Sequence, residues 1–348
     1  MLTFTRRLSL ALSSSSSSLM MSTTQTPTTT PFPWRHISVE WSPTVAAKIL
    51  SSDEPSLQAS VTHWVFPDLP QLEAYRQTFL DSTGRHCHAT SSTRNDGTNQ
   101  PPQLKPQQPP QQMITLSVSR HATWQSLVET AKSRLYDDKD SNNNNKTERK
   151  LLIVGGNEKT SHSPLSTENA LTILRNELEW SATESLWAVT DPNDPRSVDR
   201  VQSKLVAGAH GFVTQPLFTS TAWEETLPLY QDAAAVPFVI GMALPRTLQN
   251  LMFWQTLLEE RPDVLQHNDD PCFSNHVAYF SSQQQTNNAN ASLAWMEQEL
   301  QRLERFFITT SATSPAGGGV QGVHFMPLKN VNDLVAILQS RTTINPHY

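Results

Sequence analysis

The strongest constraint on this chain is an alternation that runs nearly its whole length. Eight short, charge-poor, β-rich runs are separated by stretches with helical spacing. The runs are His36–Trp41, Ser60–Phe66, Met113–Ser119, Leu151–Gly155, Ser185–Thr190, Gly211–Gln215, Pro237–Met242 and Gly322–Met326. Continuous apolar runs of this length suit strands buried on both faces, as in a parallel sheet. Between them, Leu69–Leu80, Trp124–Leu135, Thr167–Leu178, Ser197–Ala207, Leu248–Glu260, Leu293–Phe307 and Val331–Leu338 carry apolar residues three and four apart. That is the stripe a helix needs to pack on a sheet. Thr44–Leu50 offers at best two turns. Ser166 with Glu168 starts one helix, and Gly208 stops another. Strand–helix repetition predicts an α/β (β/α)8 TIM barrel, a fold of about 250 residues that tolerates insertions. The rival is an open doubly wound sheet, which usually opens on a glycine-rich phosphate turn. This chain has 11 glycines and no GxGxxG after its first strand, so the barrel is the better reading.

The remaining segments predict loops and tails. Residues 1–33 contain Arg6, Arg7 and many hydroxyls but no Asp or Glu. Such a leader predicts delivery to a mitochondrion or plastid; read as a mere disordered tail, it leaves the chain cytoplasmic. The barrel is expected over 34–340, with insertions at about 84–112, 136–150 and 281–291, and a tail at 341–348. The first two insertions are Pro/Gln-rich and Asn-rich, and such compositions bury too little apolar surface to offset chain entropy.

Charge and cysteine content narrow the function. A net charge of −6 without a Lys/Arg cluster argues against nucleic acid as a partner. No run approaches the ~18 apolar residues of a membrane span. Two cysteines make no disulfide framework. His86-Cys87-His88 reads as a surface loop rather than a metal site, and no metal is expected. The oligomeric state stays open, a homo-oligomer included.

In a barrel, ligands bind where strands end. Polar residues near the predicted ends are Glu40, Thr62, His63, Ser117, Ser119, Asn157, Glu158, Thr190, Asp191, Thr214, Gln215 and His324. Glu40, between Val39 and Trp41, is costly to bury without a partner, and desolvation makes it a plausible proton donor. It also reads as an ion-paired or solvent-facing structural residue. Gln215 either binds an amide-like heterocycle edge or ties strand ends together. His324 alternates with apolar neighbours, which favours a hydrogen-bonded core histidine.

Taken in order, these residues resemble the methylenetetrahydrofolate reductase family. The resemblance rests on Glu40-Trp41-Ser42-Pro43 for E-x-x-P and Ser60-Val61-Thr62 for S-V-T. It rests further on Lys204 with Ala207-Gly208-Ala209, on Thr214-Gln215, and on the closing Gly322–Asn330 strand and turn. It implies a barrel that holds FAD at its strand ends, takes reducing equivalents from NAD(P)H and reduces 5,10-methylenetetrahydrofolate to 5-methyltetrahydrofolate. It also implies roles. Glu40 would help protonate the folate as the methylene bridge opens to an iminium. Gln215 would bind the pterin or the nicotinamide, with His324 also on the substrate side. Thr62, Asn157, Thr190 and Lys204 would face the cofactor. Departures are visible as well. Val65-Phe66-Pro67-Asp68 replaces a glycine-rich loop, and Gly155-Gly156-Asn157 stands where the family has R-G-D. Thr190–Pro195 stands where it has Y-P-E-x-H-P, and Pro216 replaces an aromatic. They support an alternative: an inactive barrel that binds folate or a protein partner.

Overall fold

The computed structural model describes residues 36–52, 55–69, 111–135, 149–155, 165–178, 186–194, 196–232, 236–259, 270–285, 290–311, 319–327 and 330–342. Eight parallel strands close into a barrel in sequence order. They are β1 (His36–Glu40), β2 (His63–Phe66), β3 (Gln111–Ser117), β4 (Arg149–Val154), β5 (Leu186–Thr190), β6 (Gly211–Pro216), β7 (Pro237–Ala243) and β8 (Gly319–Met326). The ring shuts where β1 pairs with β8, Ser38 opposite His324 and Val39 opposite Phe325. The chain therefore has the (β/α)8 architecture.

Strand parity sorts the core into two shells. Val65, Met113, Leu152, Trp187, Val213 and Val239 form one cluster, which fills the barrel. Their neighbours in sequence, such as Trp64, Ile114, Ile153, Ala188, Phe212 and Phe238, belong to the larger cluster shared with the helices. This is the period-two geometry of a strand covered on both faces. Trp187 is the largest of the interior set. Its indole packs over Gly211, 2.8 Å from where a Cβ on that residue would sit.

Local signals explain the helices. Helix α1 (Pro43–Leu50) has proline in its first turn, and the Ser42 hydroxyl accepts from Val45 N at 3.2 Å. Helix α2 (Pro55–Ser60) follows, then α3 (Trp124–Leu135). Helix α4 (Thr167–Glu177) is capped by Ser166, which accepts from Asn169 N at 3.1 Å. Helix α5 (Ser197–Ala207) ends on Gly208 at φ 113°, a left-handed conformation suited to glycine. After β6 comes a π-helical turn, Ala222–Thr226, that continues into α6 (Leu227–Asp232). The rest are α7 (Leu248–Glu259), α8 (Pro271–Gln285), α9 (Ala291–Ser311) and α10 (Val331–Thr342).

Several boundaries differ from expectation. Strand β2 starts at His63, because 55–60 form α2. Strands β3 and β4 reach back into the polar segments, where Gln111 and Gln112 pair with His63 and Trp64. Arg149 and Lys150 pair with Gln112 and Met113. Main-chain pairing carries these residues despite their polarity. Helix α8 occupies 281–285, where an insertion was expected, since its buried side is Cys272, Phe273, His276 and Phe280 rather than a plain aliphatic stripe. Helix α10 extends into the expected tail. The expected helix at Leu69–Leu80 and the His86-Cys87-His88 triplet lie outside the described residues, apart from Leu69.

Candidate functional site

Glu40 ends β1. Ile37 and Val39 face the helix shell, so the opposite parity of Ser38 and Glu40 places their side chains on the inner face. The main chain at Glu40 is tightly held. Trp41 N bonds Val65 O at 2.7 Å, and Ser42 caps α1 at once. The carboxyl group is half-buried and makes no hydrogen bond or ion pair with any described residue. Burial with no compensating cation raises its pKa above the usual carboxylate range. A protonated carboxyl is both a hydrogen-bond donor and a proton source.

Gln215 is the penultimate residue of β6 and lies within a bulge. The β6–β7 register shifts between Val213 and Pro216, so β6 carries an extra residue there. The Thr214 hydroxyl fills the gap, accepting from Gly241 N and donating to Gln215 O, both at 2.8 Å. Gly241 is required on the facing strand, because a Cβ there would overlap the Thr214 carbonyl. On the other side, Asn193 is fully buried and donates Nδ2 to Pro216 O at 2.8 Å. The Gln215 side chain is half-buried and, like Glu40, has no partner among the described residues. Going round the barrel, β7 and β8 separate these two residues.

Other predicted residues sit elsewhere. Thr62 precedes β2, at the entrance of the strand rather than its exit. Its hydroxyl donates to Ile37 O at 2.9 Å and accepts from Ile37 N, so it ties β1 to β2 at the end opposite the mouth. Thr190 follows inward-facing Val189 and therefore points outward, 3.0 Å from the Tyr230 hydroxyl on α6. Lys204 lies in the helix shell and donates Nζ to Val189 O at 2.7 Å. The placements of Thr62 and Thr190 do not match cofactor-facing roles, whereas the Lys204 ammonium lies one residue from the C-terminal end of β5. His324 is buried inside the barrel, its Nδ1 3.1 Å from the Ser38 hydroxyl, which also reaches Val323 O. Burial lowers its pKa to about 4, and it stays neutral as a core histidine. Asn157 and Glu158 lie outside the described residues. Asp68 is engaged as well, accepting from Ser117 N at 2.9 Å and pairing with Arg134 at 2.7 Å.

No family model matches this chain, and neither does any curated protein. The site therefore rests on its own geometry.

Two groups escaped sequence reasoning. One is the connection after β5, where Asp191, Asn193 and Asp194 are all buried. Asp-Pro-Asn-Asp signals a turn, but nothing local shows that the asparagine bonds to residues more than twenty positions on. The other lies between α8 and α9. The Trp295 indole donates to His276 Nδ1 at 3.0 Å, leaving Nε2 toward Cys272 Sγ at 3.6 Å. Arg302 donates to the same sulfur at 3.4 Å while stacked 4.1 Å over Trp223. Burial outweighs the arginine and raises the Cys272 pKa, so the thiol stays protonated. No three His, Cys, Asp or Glu side chains among the described residues are grouped to hold a metal ion.

Proposed function

We propose that the barrel mouth binds a reduced folate and that Glu40 acts on it as a general acid. This is the substrate half of the chemistry expected of a methylenetetrahydrofolate reductase. The observation that carries the reading is the pair Glu40 and Gln215: half-buried, at or next to strand C-termini, on held backbone, and without side-chain partners among the described residues. Unengaged polar groups in such a position are available to a ligand. The Gln215 amide offers a donor and an acceptor side by side, which suits the edge of a pterin. A neutral Glu40 can pass its proton to N10, the bridge nitrogen that a 5-methyl product must release. That carbon–nitrogen bond then breaks with its electron pair staying on the protonated nitrogen. The methylene carbon is left as an iminium on the other nitrogen, ready to accept hydride.

Hydride delivery through FAD has no support from the residues described. Thr62, Thr190 and Lys204 are committed to main-chain or helix contacts. These placements favour a second reading, a barrel that binds folate without turnover.

Purified protein separates the two. On the first reading, tetrahydrofolate binds in a fluorescence titration, and turnover of methylenetetrahydrofolate falls about 10²- to 10⁴-fold in Glu40→Gln. Binding with no turnover, together with a colourless protein that takes up no added FAD, selects the second reading. A chain that binds neither tetrahydrofolate nor methylenetetrahydrofolate refutes both.

A further inference from the structure

The backbone around Gln215 is clamped from both sides, while its side chain has no partner among the described residues. On the N-terminal side the clamp is Thr214 with Gly241. On the C-terminal side it is a single amide from another loop. Asn193, in the connection between β5 and α5, is wholly buried and uses its amide at both ends. Nδ2 donates to Asp191 Oδ1 at 2.9 Å and to Pro216 O at 2.8 Å. Oδ1 accepts from Phe218 N at 3.0 Å, and from Thr219 N and Thr219 Oγ1 at 3.2 Å each. The Asn193 main-chain N–H adds a bond to Asp191 Oδ1 at 3.0 Å, which holds the asparagine in place. Thr219 passes the constraint on, since its hydroxyl accepts from Ala222 N at 3.1 Å at the start of the π-helical turn. Three of the four residues that follow Gln215 are thus bonded to one side chain.

We propose that Asn193 is a positioning residue for Gln215, holding the β6 exit so that the Gln215 amide projects into the mouth in one orientation. The inference rests on the reading of the mouth as a ligand site. The physical reason is preorganisation. A contact residue held by bonds to its neighbours loses less freedom when ligand arrives, and small displacements of such residues weaken binding strongly. Only an amide satisfies this connection. Pro216 O needs a donor, while Phe218 N and Thr219 N need an acceptor, and asparagine presents both within one flat group. An aspartate of the same shape would turn an acceptor toward Pro216 O and Asp191 Oδ1. The clamp would then open at the end nearest Gln215.

The test is a double-mutant cycle read by tetrahydrofolate affinity, with thermal unfolding followed alongside. Asn193→Asp is expected to weaken binding about tenfold, and Gln215→Ala by a similar factor. The double variant should bind no more weakly than Gln215→Ala alone, because Asn193 acts through Gln215. Lowering the pH should recover part of the Asn193→Asp loss, as a protonated aspartic acid regains one donor. In ligand-free protein, the Gln215 side-chain NH2 signals in a 15N–1H spectrum, assigned by their loss in Gln215→Ala, should shift or broaden in Asn193→Asp. Equal losses in both backgrounds, or unmoved Gln215 signals, overturn the proposal. If wild-type protein binds no tetrahydrofolate, the folate reading fails while the ligand-free spectrum still decides the role of Asn193. Should Asn193→Asp not fold, Thr219→Val removes one bond to Oδ1 and should move the Gln215 signals in the same way, by less.

Discussion

Polar side chains inside this barrel are engaged, while two near its mouth, Glu40 and Gln215, have no side-chain partner among the described residues. Beneath the mouth, Ser38 bridges His324 and Val323, and Thr62 closes on Ile37 while lying 2.8 Å from His63 Nδ1. Lys150 lies over the Trp187 ring. At the mouth, Glu40 and Gln215 have held backbones and uncommitted side chains. Polar groups inside a protein are expected to be satisfied, so those that are not are the ones to examine for ligands. The difference separates residues that build the barrel from residues available to chemistry, although all of them fall on the same eight strands.

Three measurements would break or sharpen the contrast. The largest effect belongs to the interior. Trp187→Ala empties the centre of the barrel and should cost about 3–5 kcal/mol in urea unfolding. A loss below about 1 kcal/mol would mean the interior is not packed as described. The second effect concerns pH. Burial lowers the pKa of His63 to about 3 and that of His324 to about 4, both below the unfolded value of 6.5. The unfolded chain therefore binds protons that the folded one refuses. Stability is fully present above pH 6.5 and is lost as pH falls toward 4, by up to about 1.4 kcal/mol per pH unit for each histidine. A urea midpoint that does not move between pH 7 and pH 4 would contradict this.

The smallest effect lies at the mouth and has the opposite sign. The Glu40 pKa is raised on folding, so the folded protein favours its protonated form and loses stability as pH rises through the folded value. Glu40→Gln should leave the melting temperature unchanged near pH 4 and raise it modestly near pH 8, even as it removes the acid. A fall at pH 8 would show that the carboxylate has a stabilising partner after all.

The strand count was readable from sequence because buried parallel strands are short apolar runs between turns. Positions around the site were less readable, for reasons particular to each residue. Thr190 could have been placed by parity, since Trp187 and Val189 face inward and the next residue must face out. Thr62 was misplaced because a strand drawn from Ser60 hid the short helix α2, and with it the true entrance at His63. Lys204 is spoken for by a main-chain contact that no local pattern shows, since a long side chain in the helix shell reaches the Val189 carbonyl near the end of β5. Asn193 could not be found at all. Its partners Pro216, Phe218 and Thr219 lie 23–26 residues away, and only the folded barrel brings them together. Glu40 and Gln215 were legible because each is a polar side chain close to the C-terminal end of a short strand and next to an apolar run.

Closure of the ring also bears on how the chain comes to exist. The seam between β1 and β8 joins Ser38 to His324, 286 residues apart, and it closes only because Gly322 leaves room for the His36 carbonyl. During synthesis at roughly 5–20 residues per second, the first strand must wait about 15–60 s for its last neighbour. Until then its unpaired edge is open to other chains. A newly made molecule is therefore most vulnerable at its oldest strand, and a chaperone that shields β1 until β8 emerges would protect the yield of folded protein more than its final stability.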